Sequence, residues 1–149
     1  MSAKLGFKQI IILFWTVWWL IALWTDVVGA LSHLQWMHVS WANDANYIFL
    51  VQSLQMYHVP RWSPPLLFSG IIVWSFFSFV LFAWASLGVG LDRAPWMRRV
   101  DVAFRVSLCF WLAFFLADQW VLKFDLEENH MVQGGFELLT YLALYCLPD

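Results

Sequence analysis

Charge is what this sequence has least of. Eight Lys and Arg and ten Asp and Glu make up 12% of 149 residues, about half the ~25% usual in soluble domains. A water-solvated globular domain is therefore excluded, and one domain whose solvent is lipid takes its place. The net charge is only −2, and the signs are segregated along the chain. That leaves no basic footprint for nucleic acid. Cysteine is nearly absent too: Cys109 and Cys146 stand 37 residues apart with no Cys-x-x-Cys, which removes a zinc ribbon and a dithiol relay. There is no Glu-x-x-His pair for a di-iron carboxylate bundle, no nucleophile motif and no phosphate-binding glycine loop.

What is present is apolar and aromatic: 62% and 20% of the chain, with twelve Trp. So much Trp suggests lipid-facing surfaces on many sides, because indole favours the boundary between headgroups and acyl chains. The stretch from Ile10 to His38 organises the rest. It opens with sixteen uncharged residues, then sets Asp26, Gly29, Ala30 and His33 on one helical face. Its length suits the ~20 residues of a membrane helix, yet a carboxylate at that depth costs roughly 2.5 kcal/mol or more without a partner. Asp26 therefore needs other helices. Lys4, Lys8 and the small residues Val28, Gly29 and Ala30 imitate a cleaved leader, but the apolar core is too long for one, so the segment is expected to stay.

Four spans are expected, over about 10–33, 65–90, 101–122 and 131–147. The thirty residues from Trp62 to Leu91 carry no charge. Between the first two spans, Asn43 or Asp44 can cap an amphipathic half-helix over about 44–58, with Tyr47, Leu50, Val51 and Leu54 on one face and Gln52, Gln55 and His58 turned away. Such a helix lies in the interface or dips into the bundle. Pro64 and Pro65 start the second span, whose Ser75, Ser78 and Ala85 form a packing face. Pro95 reads as a breaker in the next turn. The third span has Asp101 and Arg105 at i, i+4 and a small-residue stripe of Cys109, Ala113 and Ala117. Lys4, Lys8, Arg93, Arg98 and Arg99 outnumber Arg61 and Lys123, which predicts cytoplasmic termini and an inner-membrane location. The fold class is thus all-α, an integral membrane four-helix bundle.

Asp26 and His33 share a face seven residues apart, and so do His130 and Glu137 on a helix running the other way. If the first and fourth spans are neighbours, Asp26 comes level with Glu137 and His33 with His130, and Asp118 joins the histidine layer. Such an outer layer can hold a metal ion, pass protons through a shared-proton acid pair, or clamp a haem between two His. The plainer reading puts both His at the water interface and gives each acid a Trp, Tyr or Ser partner. His33, His38 and His58 offer a weaker copper or zinc cluster. Tyr141 and Tyr145 look like a quinone-lining wall or ordinary packing. Arg105 pairs with Asp101 or snorkels, and the cysteines read as small apolar fillers.

A first span, an outer half-helix over Asn46–His58, a Pro64-Pro65 start with Gly70 close behind, and the run Gly134-Gly135-Phe136-Glu137-Leu138-Leu139 together resemble the DoxX-like group of small four-helix membrane proteins. The resemblance implies quinone-linked oxidation or a partner in a membrane complex, and suggests Glu137 alone as a family residue. The first span departs from the group in having no clear basic residue.

The leading expectation is an accessory or assembly subunit of a larger membrane complex. It would meet the lipid bilayer and a protein partner or further copies of itself. The alternatives are an oxidoreductase component binding quinone, haem or metal, and a small proton-coupled transporter. The chain should stay in the membrane pellet through an alkaline carbonate wash; its release into the supernatant would contradict the lipid-solvated reading.

Overall fold

The computed structural model describes residues 3–37, 45–88, 92–122 and 124–146. Among them all regular structure is helical: α1 (Ala3–His33), α2 (Ala45–Leu54), α3 (Ser63–Leu87), α4 (Arg93–Val121) and α5 (Phe124–Cys146). A single 3-10 turn, Gln55–Tyr57, follows α2 and ends at a left-handed His58. The residues that would cap α2, Asn43 and Asp44, lie outside the described set, as does His38.

Among the described residues three segments are long and apolar enough to cross a bilayer: Gly6–His33, Ser63–Leu87 and Arg93–Val121. By the same measure α5 is not, and its sequence says why. Its first turns hold Asp125, Glu127, Glu128, Asn129, His130 and Gln133, and Glu137 interrupts the apolar remainder.

The long helices pack in chain order, α1 on α3, α3 on α4 and α4 on α5. The short α2 lies against α1 and α3 at the end of the bundle that holds Asp26. Its predicted face is correct: Tyr47, Leu50, Val51 and Leu54 are partly covered, while Gln52, Gln55 and His58 are exposed. Between α1 and α5 the contact is made by side chains. Trp15 Nε1 donates to Thr140 Oγ1 at 2.8 Å, and the Trp15 ring meets Phe136 at 5.9 Å.

The centre of the bundle is aromatic. Trp15, Trp19, Phe82, Phe104, Phe110 and Trp111 are buried and touch ring to ring at 4.9–6.4 Å, mostly edge to face or tilted. Such pairs favour the offset geometries seen here because the ring face is electron-rich and the edge is not. This corrects the lipid-facing reading of Trp: Trp15, Trp19, Trp96 and Trp111 are core residues, whereas Trp24, Trp36, Trp62, Trp84 and Trp120 are exposed. In hydrocarbon an indole N–H needs a partner even when its ring does not. Trp74 donates to Val106 O and Trp96 to Ala85 O, each at 3.0 Å.

Other expectations change as well. Pro95 does not break the chain; α4 starts at Arg93, two turns before the predicted third span. Pro is accommodated because the first-turn amides of a helix have no internal acceptor to lose. Arg99 ties α4 to the end of α3: it donates to Trp84 O at 3.2 Å and lays its guanidinium 4.6 Å from the Trp84 ring centre. Lys8, counted above among the cytoplasmic basic residues, is buried within α1. Ser75, Ser78 and Ala85 do face inward. Cys109, Ala113 and Ala117 do not, and Cys109 and Cys146 are free and exposed rather than filling the interior.

Gly134 is required by packing. A Cβ there would lie 2.9 Å from Trp111 Cβ and 3.0 Å from Cγ, whereas one at Gly135 would meet nothing within 4 Å. Gly134→Ala should therefore lower unfolding stability in detergent by about 1–3 kcal/mol through overpacking. Gly135→Ala should instead be neutral or stabilising by up to about 1 kcal/mol, so equal effects in a denaturation series would contradict this packing.

Candidate functional site

The acids predicted to form one layer are each held by a different neighbour. Asp26, 7% exposed on α1, accepts a bond from the Asn46 side chain of α2 at 2.9 Å. His33 rests against the Tyr47 ring of α2 at 4.1 Å, and Tyr47 in turn meets Phe68 of α3. These contacts pin α2 onto the end of the bundle.

Glu137 lies deeper and is wholly buried against α4. Trp111 Nε1 donates to its Oε2 at 2.7 Å, and the Ser107 hydroxyl closes a very short bond to its Oε1. Trp111 also touches the Trp18 and Trp19 rings of α1. The level of Glu137 on α1 is set by Trp15, which meets Phe136 and Thr140 on either side of it, eleven residues or about 16 Å below Asp26. Asp26 and Glu137 are not level and do not pair. The reason is topological: the backbone of α5 follows α4 rather than α1, so α4 sets its register.

One predicted association does form. His130 Nδ1 and Asp118 Oδ2 are 2.5 Å apart, with Asp118 buried and His130 partly covered by the Phe114 and Trp111 rings. A carboxylate on one ring nitrogen fixes the tautomer and the direction of the other nitrogen, as in proton-transfer and metal-ligating histidines. His33 does not join it, since its ring contact is to α2, so the two-histidine clamp is not assembled. Among the described residues no group of three or more His, Cys, Asp or Glu gathers closely enough to hold a metal ion.

Tyr141 enters a cluster that sequence spacing missed. Its hydroxyl donates to Asp101 Oδ1 at 3.2 Å, and the Tyr145 hydroxyl donates to the same oxygen through a very short bond. Asp101 thus faces α5 instead of forming the expected pair with Arg105, which is exposed. The available signal was the four-residue spacing of Tyr141 and Tyr145. What the spacing lacked was the neighbour, because Asp101 comes from a helix forty residues earlier in the chain.

No protein-family model matches this chain, and no curated protein and no solved structure matches it. The arrangement itself carries the argument. Along the α4–α5 seam lie Asp118 with His130 at one end, beside an exposed Gln119–Glu127 bond, Ser107 and Trp111 with Glu137 in the middle, and Asp101 with Tyr141 and Tyr145 at the other end.

The middle station should be the costliest to disturb. Trp111→Phe leaves a buried carboxyl oxygen without its donor, at a cost of about 1–3 kcal/mol. Trp36→Phe, at a position 77% exposed, should change nothing. Guanidinium unfolding in detergent followed by fluorescence compares them, and a Trp111→Phe protein as stable as the parent would contradict the assigned bond.

Proposed function

We propose that the chain is a four-span protein of a bacterial inner membrane with cytoplasmic termini, acting as an accessory or assembly subunit of a larger membrane complex. The fourth span is α5. The side chains of His130, Glu137 and Thr140 turn to α4 and α1, Glu128 and Asn129 are exposed near its start, and Met131, Val132, Phe136, Leu138, Leu139 and Leu142 are exposed. A low mean hydropathy therefore coexists with an apolar outer surface.

The observation that carries the subunit reading is the outer face of α4. Cys109, Ala113 and Ala117 recur every four residues there, all exposed, between exposed Leu112 and Leu116. Lipid gains nothing from small residues, but a helix does: they let two backbones approach closely, which is how membrane helices associate without a hydrophobic driving force. A second reading, proton-coupled transport, is favoured by the seam of titratable groups between α4 and α5.

Cys109 sits within the proposed interface and reports on it directly. In a Cys146→Ser background, oxidation of native membranes should link Cys109 to a thiol of a partner or of a second copy, and Ala113→Phe should abolish that product. A chain that stays unlinked and migrates alone in mild detergent would overturn the subunit reading.

A further inference from the structure

We propose that the α4–α5 seam is a path for protons across the membrane, with Glu137 as its central relay. The proposal rests on α5 being the fourth span, not on the accessory role.

The placement of the groups is the first argument. His130, Glu137, Tyr141 and Tyr145 follow one another on α5 at spacings of seven, four and four, which is one helical face. They extend over about 22 Å, most of the ~30 Å hydrocarbon thickness. Each is bonded across the seam, to Asp118, to Ser107 or to Asp101. Helices can be tied by amides and hydroxyls without ionisable groups, which are costly at membrane depth and mark proton relays when they occur in series. Elsewhere this bundle uses such neutral ties, as between Thr16 and Ser86 at 2.8 Å.

Ser107 allows Glu137 to take up and release a proton without leaving a donor unsatisfied. The Ser107 hydroxyl has one hydrogen but three acceptors within reach: Glu137 Oε1, Ala103 O at 3.1 Å and Phe104 O at 3.2 Å. With a proton on Glu137, the carboxyl donates to Ser107 Oγ, Ser107 donates to a carbonyl, and Trp111 donates to the other carboxyl oxygen. When the proton leaves, the Ser107 hydroxyl swings and donates to the carboxylate. Both states keep every donor satisfied, and a hydroxyl rotation interconverts them.

The Trp111 indole lies between His130 and Glu137, with its ring centre 5.9 Å from that of His130, and the Phe104 ring stacks on Tyr141 at 4.9 Å. Transfer between stations therefore requires water to enter beside these rings, and it proceeds stepwise. One proton moves from His130 to Glu137 and on to Asp101, and each station returns to its starting state as the proton leaves. Nothing is oxidised or reduced; the transmembrane proton gradient drives the movement.

The full chain in phospholipid vesicles, with a potassium diffusion potential and an internal pH dye, tests this. Wild-type vesicles should take up protons faster than protein-free ones, Glu137→Gln should fall to the protein-free rate, and Glu137→Asp should recover part of the flux. Thr16→Val, which loosens a tie away from the seam, should conduct like wild type. Flux equal to protein-free vesicles in the wild type, or a folded Glu137→Gln protein that conducts normally, would overturn the proposal, and circular dichroism establishes folding. Impermeant thiol labelling of Cys146 and of an Asn129→Cys variant separates the two readings. Labelling from opposite sides without flux defeats the proton path alone, and labelling from one side defeats the fourth span beneath it.

Discussion

The bond from Trp111 and Ser107 to Glu137 is the interaction on which the second half of the bundle depends. A carboxyl placed at that depth has no water to turn to, so the helix that carries it must lie where donors are already waiting. Two donors one turn apart on α4 meet that need, and Gly134 lets the Trp111 ring lie directly on the α5 backbone. The register of α5 on α4 follows. With it come the Asp118–His130 contact toward one end and the two tyrosine bonds to Asp101 toward the other.

The first half of the molecule is assembled on a different principle. Helices α1, α3 and the inner face of α4 meet through buried rings, with few polar groups between them. Two buried polar atoms there, Trp19 Nε1 and Ser78 Oγ, have no partner among the described residues. Ring packing supplies shape and dispersion, while the polar seam supplies direction. The division is what makes the seam conspicuous: ionisable side chains gather along one helix pair, whereas indoles and phenyl rings fill the rest. On α5 the side chains of His130 and Glu137 turn to α4, while Leu138, Leu139 and Leu142 are exposed.

Much of the secondary structure was legible in the sequence. The uncharged runs of α1 and α3 have one physical solution, and the i, i+3, i+4 pattern of α2 placed its covered face correctly. Pro95 was misjudged because a proline breaks a helix only where an amide is needed, and the first turn needs none. The candidate residues were legible as types rather than as a constellation. Asp26 and Glu137 stood out for being polar in apolar surroundings, and that property survives in the structure as burial and hydrogen bonding. The layer that was to join Asp26 with Glu137 did not survive, since it assumed a neighbour relation that composition does not encode.

Residue chemistry and spacing by themselves determined that this chain is helical, that its long uncharged runs suit a bilayer, and that its acids require internal partners. Those properties are local, set by transfer free energies and by 3.6 residues per turn. Which helix stands beside which, and at what offset, only the tertiary structure decided. Ring packing at Trp15, Trp111 and Phe104 selects the neighbours, and an offset of one turn moves a side chain by about 5 Å. That distance separates a bonded carboxyl from an isolated one.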